Sequence, residues 1–410
     1  MSNKINVSFG MKISDLKPGK NLIKKALSAD CQMKGYTAFV NGEVYMPNNK
    51  IKKANLLFKD SKLIAIDDFD ETKIPKQEQI ALINLKNKYL TPAIIDQHIH
   101  GGLGINFNTA NKKEIESFLK KLQRYGYSEI LATLIPDKIE NLNRQLQVLN
   151  AIIKNPKKGS TRVLGVNLEG PFFSPEKAGI HVPEILMKPT VENFNKIKSN
   201  DIKIVTIAPE LDEGFELTKH LNSKGIITSA GHTAATAEEI QKSGVKQITH
   251  LYNAMPGLHH RNLSVANEAL SNDKLYTELN SDLSLVKPEM LDLTVKVRPK
   301  DKIILISDAL EGTHSGEDKF YMNGVKIDII DDVAKSQNGT LAGSIKFLSD
   351  MAMKIVEKTK ITFEDFIRFS SINTSKNLGI EKRYQLKPGA KPNFMIWDKK
   401  TLTPEKTFIA

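Results

Sequence analysis

The sequence has 410 residues, of which 40% are hydrophobic and 26% charged, so its composition is that of a globular protein with room for one large and one small domain. The formal net charge is +12, but no basic stripe carries interleaved aromatic side chains, and we expect no nucleic-acid partner. One cysteine excludes an internal disulfide framework, no apolar run is long enough to span a membrane, and residues 1–30 lack the apolar core of a secretory signal. These features predict a cytoplasmic protein with no membrane partner.

The character of the chain changes near Gly35. Residues 1–34 are predicted to be an N-terminal extension, in which the stretch LIKKALSA is compatible with a docking helix, a disordered arm or, less readily because arginine is absent, a targeting peptide. Residues 35–91 carry short β-type runs such as YTAFV, ANLLF and ALINL, with turn signals at Asn41–Gly42 and Pro47–Asn49. We predict that they form the first part of a small β domain.

Residues 92–380 are predicted to form a (β/α)₈ TIM-type barrel, an α/β fold. Eight apolar runs of strand length are separated mostly by helical patterns, several of which end in or near a glycine. The runs are Ala93–Gln97, Ile130–Leu134, Val163–Leu168, Lys203–Ile207, Ile226–Ala230, Gln247–Thr249, Tyr276–Asn280 and Ile303–Ser307. This alternation is typical of a parallel barrel ringed by helices. Residues 381–410 are strand-like again, so we predict a small split β-sandwich domain formed by the N- and C-terminal segments.

Five of the eight predicted strands end in residue types that bind metals. These are His98 and His100 after the first strand, Glu169 after the third, His232 after the fifth, His250 after the sixth and Asp308 after the eighth. A parallel barrel places the carboxyl ends of all its strands around one mouth, so we expect these side chains to converge on one metal-binding hydrolytic site. Mixed imidazole and carboxylate ligands suit zinc, iron(II), manganese or cobalt.

Taken singly, these residues also have structural explanations. His232 and His250 are compatible with satisfied core histidines, Glu169 with a buried salt bridge, and Asp308 with the cap of a turn. The distribution of all nine histidines favours an active site, because eight stand at strand ends or in the segments that follow strands. In this fold that rim carries the chemistry, whereas the opposite rim carries stability.

Seven phrases of the sequence resemble the amidohydrolase superfamily and, within it, the N-acetylglucosamine-6-phosphate deacetylase family. They are TPAIIDQHIHGG, LGVNLEGPFFSPEKAGIH, VTIAPE, TSAGHTAAT, THLYNAMPGLHHR, LISDA and NGTLAGS, and they follow the family's order. Related hydrolases often carry a carboxylated lysine where this family has a glutamate, and Glu169 stands at that position. The resemblance implies a metal-dependent amide hydrolase that converts N-acetylglucosamine 6-phosphate into glucosamine 6-phosphate and acetate.

The resemblance also implies one or two divalent metal ions, zinc or iron(II) before manganese or cobalt. Glu169, His232 and His250 match the ligands of the principal metal. His98 and His100 match an additional pair, present in members that hold a second metal beside the first, with Glu169 bridging the two.

Further residues match the family's catalytic and substrate-binding positions. Asp308 matches the proton-transfer aspartate, and His181 matches the histidine that polarises the acetyl carbonyl. The substrate contacts implied are His181, Asn253, Ala254, Arg261, Leu341, Ala342 and Gly343. The family's arginine commonly reaches the phosphate of an amino-sugar phosphate from a neighbouring subunit, so a homodimer or higher homo-oligomer is expected.

Two departures from the family pattern lie at the substrate end. Arg261 begins the run RNLS where the family reads REPG, and Leu285 stands where the family has a substrate-contacting histidine. Leucine neither donates a hydrogen bond nor carries charge. A deacetylase acting on a different N-acetyl amino sugar or N-acyl compound therefore remains an alternative. A non-catalytic barrel scaffold is a third, against which the complete ligand set argues.

Overall fold

The computed structural model describes residues 11–12, 33, 35–69 and 80–409. These residues form two compact units, one comprising the described residues up to Ala93 together with 379–409, and the other comprising Ile94–Leu378. Most of the predicted extension, residues 1–34, lies outside the described residues. Within the described ranges, no helix has the length and apolar character that crossing a membrane requires.

The described strands are numbered β1–β23 in chain order. The first seven are β1 (Met11–Lys12), β2 (Tyr36–Tyr45), β3 (Ile51–Lys59), β4 (Lys62–Ile66), β5 (Asp68–Phe69), β6 (Ile80–Asn84) and β7 (Lys88–Pro92). The next ten are β8 (Ile94–Ile99), β9 (Gly101–Gly102), β10 (Ile105–Asn106), β11 (Tyr127–Leu134), β12 (Arg162–Phe172), β13 (Ile202–Ile207), β14 (Ile227–Ala230), β15 (Gln247–Ile248), β16 (Tyr276–Asn280) and β17 (Ile303–Ile306). The last six are β18 (Lys319–Met322), β19 (Val325–Ile330), β20 (Val333–Ser336), β21 (Leu341–Gly343), β22 (Phe394–Asp398) and β23 (Pro404–Phe408).

The described α-helices lie in the larger unit. They are α1 (Lys112–Leu122), α2 (Ile139–Lys154), α3 (Val191–Phe194), α4 (Glu216–Ser223), α5 (Ala237–Ser243), α6 (Val265–Ser271), α7 (Pro288–Val297), α8 (Leu348–Lys358), α9 (Phe363–Ile367) and α10 (Asn373–Asn377). Side-chain caps start several of them, because the first backbone N–H groups of a helix need acceptors. Asn111 caps α1 and Thr236 caps α5, each in a reciprocal capping box with a glutamate three residues on.

The small unit is one mixed sheet in the order β1-β5-β4-β3-β2-β7-β22-β23, with β6 also paired to β2. Strands from the two ends of the chain meet where β22 pairs with β7, which confirms the predicted split domain. Phe58 on β3 stacks on Phe394 on β22 at 5.2 Å between ring centroids, although two strands lie between β3 and β22. Since neighbouring strands are about 4.8 Å apart, the sheet must curl so that its apolar face closes on itself, as in a sandwich.

Eight parallel strands of the larger unit are neighbours in the order β8-β11-β12-β13-β14-β15-β16-β17. The carboxyl end of β8 and the residue after it meet the segment that follows β17, since Asp308 N donates to His98 O at 2.9 Å and His100 N to Ala309 O at 2.9 Å. Strands such as β11 and β17 are buried along their whole length, as expected when helices cover one face and side chains fill the other. The predicted barrel is confirmed.

A separate antiparallel sheet of four strands, β18-β19-β20-β21, is inserted after β17. Its apolar side chains, including Phe320, Met322 and Ile327, pack in one buried cluster with Ile135 after β11 and Leu310 after β17. Both of these positions follow barrel strands, so the insertion lies at the carboxyl-end rim. There it supplies part of the wall of the site described next.

Candidate metal centre and active site

The residues predicted at the strand ends come together at the mouth of the barrel. His98 is the last residue but one of β8, and Glu169 lies in β12. His232, His250 and Asp308 closely follow β14, β15 and β17. All of these side chains and His100 are buried. The site therefore draws on strands from around the barrel rather than on one local segment.

Glu169 occupies the centre of this group. Its Oε1 atom lies 3.1 Å from His250 Nε2, 3.4 Å from His232 Nε2 and 3.3 Å from His98 Nε2. Its Oε2 atom lies 3.3 Å from His100 Nε2. A single carboxylate thus contacts four imidazoles, which is an arrangement suited to a carboxylate shared between two cations.

Asp308 belongs to the same cluster, on the side of His98 and His100. Its Oδ1 atom is 3.1 Å from His100 Nε2 and 3.7 Å from His98 Nε2. The possible ligand atoms fall into two groups, and within each group all of them lie within 4.8 Å of one another. The first group is His98, His100 and Asp308, and the second is Glu169, His181 and His232. Two neighbouring metal positions are compatible with this spacing.

Three residues at the mouth have a backbone conformation that residues other than glycine adopt only at a cost in free energy. His232, His250 and Asp308 have positive φ values of 48°, 28° and 52°. Such conformations cost on the order of 1–3 kcal/mol each and persist where the surrounding structure imposes them. For Asp308, the hydrogen bond from its N–H to His98 O at 2.9 Å is one such constraint. Three residues of the site thus carry backbone strain.

The hydrogen bonds of the histidine rings leave nitrogen lone pairs directed at the centre. His232 Nδ1 lies 2.9 Å from Lys177 O. Because a carbonyl oxygen only accepts, Nδ1 carries the hydrogen, and in the neutral ring Nε2 then carries a lone pair. His98 Nε2 is buried without a hydrogen-bond partner. His250 Nε2 and His232 Nε2 are 3.1 Å apart beside the same Glu169 oxygen. Converging lone pairs repel unless a cation lies among them, so these residues fit a divalent metal.

Burial and charge act in opposite directions on the central groups. Burial raises the pKa of Glu169, but the charge of His98 and the contacts with His232 and His250 outweigh it and hold that pKa well below its usual range. Burial lowers the pKa of His98, while Glu169 and Glu278 together raise it well above the ordinary value, so a metal that binds at Nε2 takes the place of a proton there. The centre is thus a strongly coupled set of charges, which is a frequent property of functional sites.

His181 borders this centre and is neutral at physiological pH. Its ring centroid is 5.3 Å from that of His232. Burial and the neighbouring His232 lower the pKa of His181 to about 3. Phe173 stacks on His232 at 4.0 Å between centroids with an interplanar angle of 14°, and so fixes the plane of that ring. A neutral imidazole beside the metal ligands can donate a hydrogen bond without bringing positive charge.

A cavity of about 270 Å³ opens next to the ligand cluster. Of the predicted substrate contacts, those lining it are His181, Asn253, Ala254, Leu341, Ala342 and Gly343. Leu285 also lines it, together with the apolar side chains of Ile135, Ile180 and Met322. Among the described residues that form this lining, none is lysine or arginine. The cavity is polar at its metal end and largely apolar elsewhere.

Arg261 does not line this cavity. It is exposed, on the loop between β15 and α6, where its backbone N–H lies 3.2 Å from His259 Nδ1. It borders a separate surface depression with Ala234 and Gln241. The structure therefore separates the predicted arginine from the other predicted substrate contacts of the same chain.

The sequence reasoning did not identify Glu278, on β16, which is fully buried. Its Oε2 atom is 3.1 Å from His98 Nδ1. The available signal was an acidic residue inside a predicted barrel strand, within the run YTELN. Because a buried carboxylate requires hydrogen-bonding or charged partners, a glutamate in a barrel strand predicts such contacts.

Comparison with known proteins agrees with this geometry. The model of the Amidohydrolase family matches residues 89–410. The chain is 33% identical to the N-acetylglucosamine-6-phosphate deacetylase of Bacillus subtilis (strain 168), over 82% of this chain and 86% of that protein. It is 26% identical to the N-acetylgalactosamine-6-phosphate deacetylase of Escherichia coli O157:H7, over 75% of this chain and 83% of that protein.

Solved structures give the same result. The crystal structure of N-acetylglucosamine-6-phosphate deacetylase from Thermotoga maritima matches with a TM-score of 0.78 and 28% identity, over 90% of this chain and 97% of that chain. The corresponding enzyme from Pasteurella multocida matches with a TM-score of 0.81 and 25% identity, over 91% of this chain and 98% of that chain. The resemblance seen in the sequence is confirmed, and the chain belongs to the amidohydrolase family.

Proposed function

We propose that the protein is a metal-dependent hydrolase that removes the N-acetyl group of N-acetylglucosamine 6-phosphate, giving glucosamine 6-phosphate and acetate. The observation that carries this proposal is the convergence of four histidines, Glu169 and Asp308 beside one cavity. The similarity to deacetylases of amino-sugar phosphates supports the choice of substrate.

The principal metal is assigned to Glu169, His232 and His250, and a second metal to His98 and His100 with Glu169 shared. Zinc or iron(II) suits this mixed set best, with manganese or cobalt as alternatives. A divalent metal bound there lowers the pKa of a water molecule and polarises the acetyl carbonyl. The remaining chemistry falls to the side chains of the chain itself.

Asp308 is assigned the proton transfers. Its carboxylate lies beside His100 and lines the cavity, so it can accept a proton from the attacking water as the new C–O bond forms. The same proton then passes to the amide nitrogen as the C–N bond breaks, so that the sugar leaves as a neutral amine. One residue thereby serves as general base and then as general acid.

His181 is assigned the stabilisation of the carbonyl oxygen. A ring N–H that donates to this oxygen gains strength as negative charge develops on it in the transition state. The pKa of about 3 supports this role, because at neutral pH the ring then carries one N–H and no positive charge. His181 lines the same cavity as Asp308, as this role requires.

For the sugar phosphate, we assign Asn253 and Ala254, together with the β21 residues Leu341–Gly343, all of which line the cavity. Arg261 is outside that lining, so we propose that it serves a neighbouring copy of the chain in a homodimer or higher oligomer. Sedimentation equilibrium tests this assembly. We also propose a cytoplasmic location, which suits a chain with one cysteine.

A second candidate is the same hydrolysis on another N-acetyl amino sugar or N-acyl compound. The observation in its favour is Leu285, which lines the cavity in place of a polar group, with no lysine or arginine among the described lining residues. Burying a phosphate dianion against apolar side chains is costly without donors. A substrate that lacks the phosphate avoids this cost.

A substrate panel decides between the two candidates. The purified protein, supplied with zinc or iron(II), is incubated with N-acetylglucosamine 6-phosphate, N-acetylgalactosamine 6-phosphate and N-acetylglucosamine, and the released amine is quantified. A kcat/KM at least tenfold higher for N-acetylglucosamine 6-phosphate than for the other two compounds supports the first candidate. Equal rates with and without phosphate favour the second. Metal-loaded protein that releases amine neither from these three compounds nor from any other N-acyl compound contradicts both.

A further inference from the structure

A fully buried carboxylate lies beneath the metal ligands, on the inside of the barrel. Glu278, in β16, accepts hydrogen bonds at Oε1 from Gln97 Nε2 at 2.7 Å and from Gln247 Nε2 at 2.9 Å. Its Oε2 atom is 3.1 Å from His98 Nδ1. The carboxylate is therefore held between an amide pair on one side and a histidine ring on the other.

The orientation of the two amides is itself determined. Asn377 Nδ2 donates to Gln97 Oε1 at 3.1 Å and to Gln247 Oε1 at 2.7 Å. Because both glutamine oxygens accept from Asn377, both NH₂ groups face Glu278. Its Oε1 atom is thereby occupied by two donors, which leaves Oε2 for His98.

This contact fixes the position of the proton on the ring of His98. A carboxylate oxygen accepts, so Nδ1 of His98 carries a hydrogen, and in the neutral ring Nε2 then carries a lone pair. Nε2 is buried without a hydrogen-bond partner, 3.3 Å from Glu169 Oε1 and 3.7 Å from Asp308 Oδ1. The ring is thus held in the form, and in the direction, in which it can bind a cation.

The same oxygen of Glu278 also lies 3.3 Å from the backbone N–H of His250, which donates to it. His250 has the strained φ of 28°. One carboxylate therefore contacts the side chain of one ligand and the backbone of another. Only the contact with His98 involves the ring that would bind the metal, so we expect metal binding at His98 to depend on Glu278 more than metal binding at His250 does.

We propose that Glu278 is a positioning residue for the auxiliary metal position formed by His98 and His100. It holds His98 with hydrogen on Nδ1 and with Nε2 directed toward Glu169, and so sets the metal affinity of that position. The inference rests on the proposed function only in taking His98 as a metal ligand. Outer carboxylates that orient a ligating histidine typically contribute ~10–100-fold to metal affinity.

The direct test replaces Glu278 by glutamine. In Glu278→Gln, the NH₂ groups of Gln97 and Gln247 still need an acceptor, so the one remaining side-chain oxygen must face them. The new NH₂ group then faces Nδ1 of His98 and favours the ring form with hydrogen on Nε2. We expect the affinity for the second zinc ion to fall ~10–100-fold, measured by competition with a chromophoric chelator. The first zinc ion should bind with much less change.

Glu129→Gln is the matched control, because Glu129 is also a fully buried barrel carboxylate and lies near Arg162, at 3.9 Å. It should leave both zinc affinities unchanged. A further control adds Glu278→Gln to His98→Ala, where little further loss of zinc binding is expected because the ring is gone. If Glu278→Gln lowers zinc affinity equally with and without the His98 ring, the proposal is overturned. Zinc binding by Glu278→Gln that equals that of the wild type also overturns it.

A spectroscopic readout separates positioning from a general loss of structure. In zinc-loaded protein labelled with ¹⁵N-histidine, we expect a slowly exchanging Nδ1–H resonance of His98, absent from His98→Ala and lost in Glu278→Gln. Hydrogen on Nε2 of His98 in the wild type contradicts the proposal. If Glu278→Gln does not fold, Glu278→Asp retains the charge but withdraws it by one methylene group, and it should show an intermediate loss of affinity rather than none.

These measurements need no substrate, so the two hypotheses fail separately. A wild type that binds two zinc ions and hydrolyses no N-acyl compound contradicts the proposed function, while a lowered zinc affinity in Glu278→Gln still supports the positioning role. An active wild type with zinc binding insensitive to Glu278→Gln overturns only the positioning role. A wild type that binds a single zinc ion overturns the auxiliary position and with it this inference.

Discussion

The two ends of the cavity are built in different ways. At the metal end, Glu169 and the histidines lie at or just beyond barrel strands, and backbone hydrogen bonds across the barrel seam hold Asp308 beside His98. The opposite end is formed by loop residues such as Leu285 and by the inserted sheet that ends in β21. The barrel therefore constrains the chemistry, while segments that can vary without disturbing the barrel shape the substrate pocket.

The largest expected effect concerns the metal end. His250→Ala removes a contact of the central carboxylate and a ligand of the principal metal, so activity should fall to background and one metal ion should be lost. His98→Ala should remove at most the second ion and leave measurable turnover. Elemental analysis and kcat measured on the same preparations check this, and equal metal loss in both variants would reverse the assignment of the two positions.

Asp308→Asn should abolish turnover with metal content and folding nearly unchanged. Asparagine has a similar shape but cannot take the proton of the attacking water, and loss of a general base typically costs ~10²–10⁴-fold in rate. Steady-state kcat, metal content and circular dichroism test the three parts of this prediction. A variant that keeps more than about a tenth of wild-type kcat would mean that a different group is the base.

The barrel and the meeting place of its ligands could be anticipated because both follow from local pattern. Strand-length apolar runs ending in histidine or carboxylate predict where the side chains stand, and the parallel barrel makes those ends neighbours. Glu278 could not be assigned a partner, since its contact with His98 joins strands 180 residues apart in the sequence. The inserted sheet that follows β17 could not be predicted in the same way, because its strands pair with one another and follow no barrel period.

Arg261→Ala probes the substrate end. If the arginine reaches the phosphate from a neighbouring copy, KM for N-acetylglucosamine 6-phosphate should rise ~10–100-fold, the scale of losing a charge-assisted hydrogen bond. The KM for the unphosphorylated sugar should hardly change, which makes that sugar the internal control. No change for either substrate would mean that Arg261 does not contact phosphate.

Leu285→His adds a donor to the apolar part of the cavity. We expect phosphosugar binding to tighten by a factor of about 5–10, the scale of one neutral hydrogen bond, with kcat little altered because the metal end is untouched. Competitive inhibition by glucosamine 6-phosphate measures the effect directly. Weaker binding would indicate that the pocket has changed shape around Leu285 and no longer accommodates the family's histidine.

The smallest effect concerns His314, on the loop after β17. Its Nε2 atom lies 2.8 Å from Asp350 Oδ2, and that hydrogen bond raises the pKa of His314 above its ordinary value of 6.5. A raised pKa means that the pair stabilises the fold below pH 6.5, and that this contribution disappears as the pH rises through the higher folded-state pKa. His314→Gln should therefore lower the free energy of unfolding at pH 6, by less than about 1 kcal/mol for this half-exposed pair, and not at pH 9. Urea unfolding at both pH values tests the sign.

The seam where β8 and β17 meet has a consequence for how the protein acquires its activity. His100 and Asp308, which face each other there, are 208 residues apart in the sequence. Contacts of such long range form only after the intervening chain has been ordered, because closing the loop costs entropy that local contacts do not. In a refolding experiment, native-like helical signal should therefore appear before the first turnover, and a nascent chain should remain inactive until its eighth barrel strand has been made.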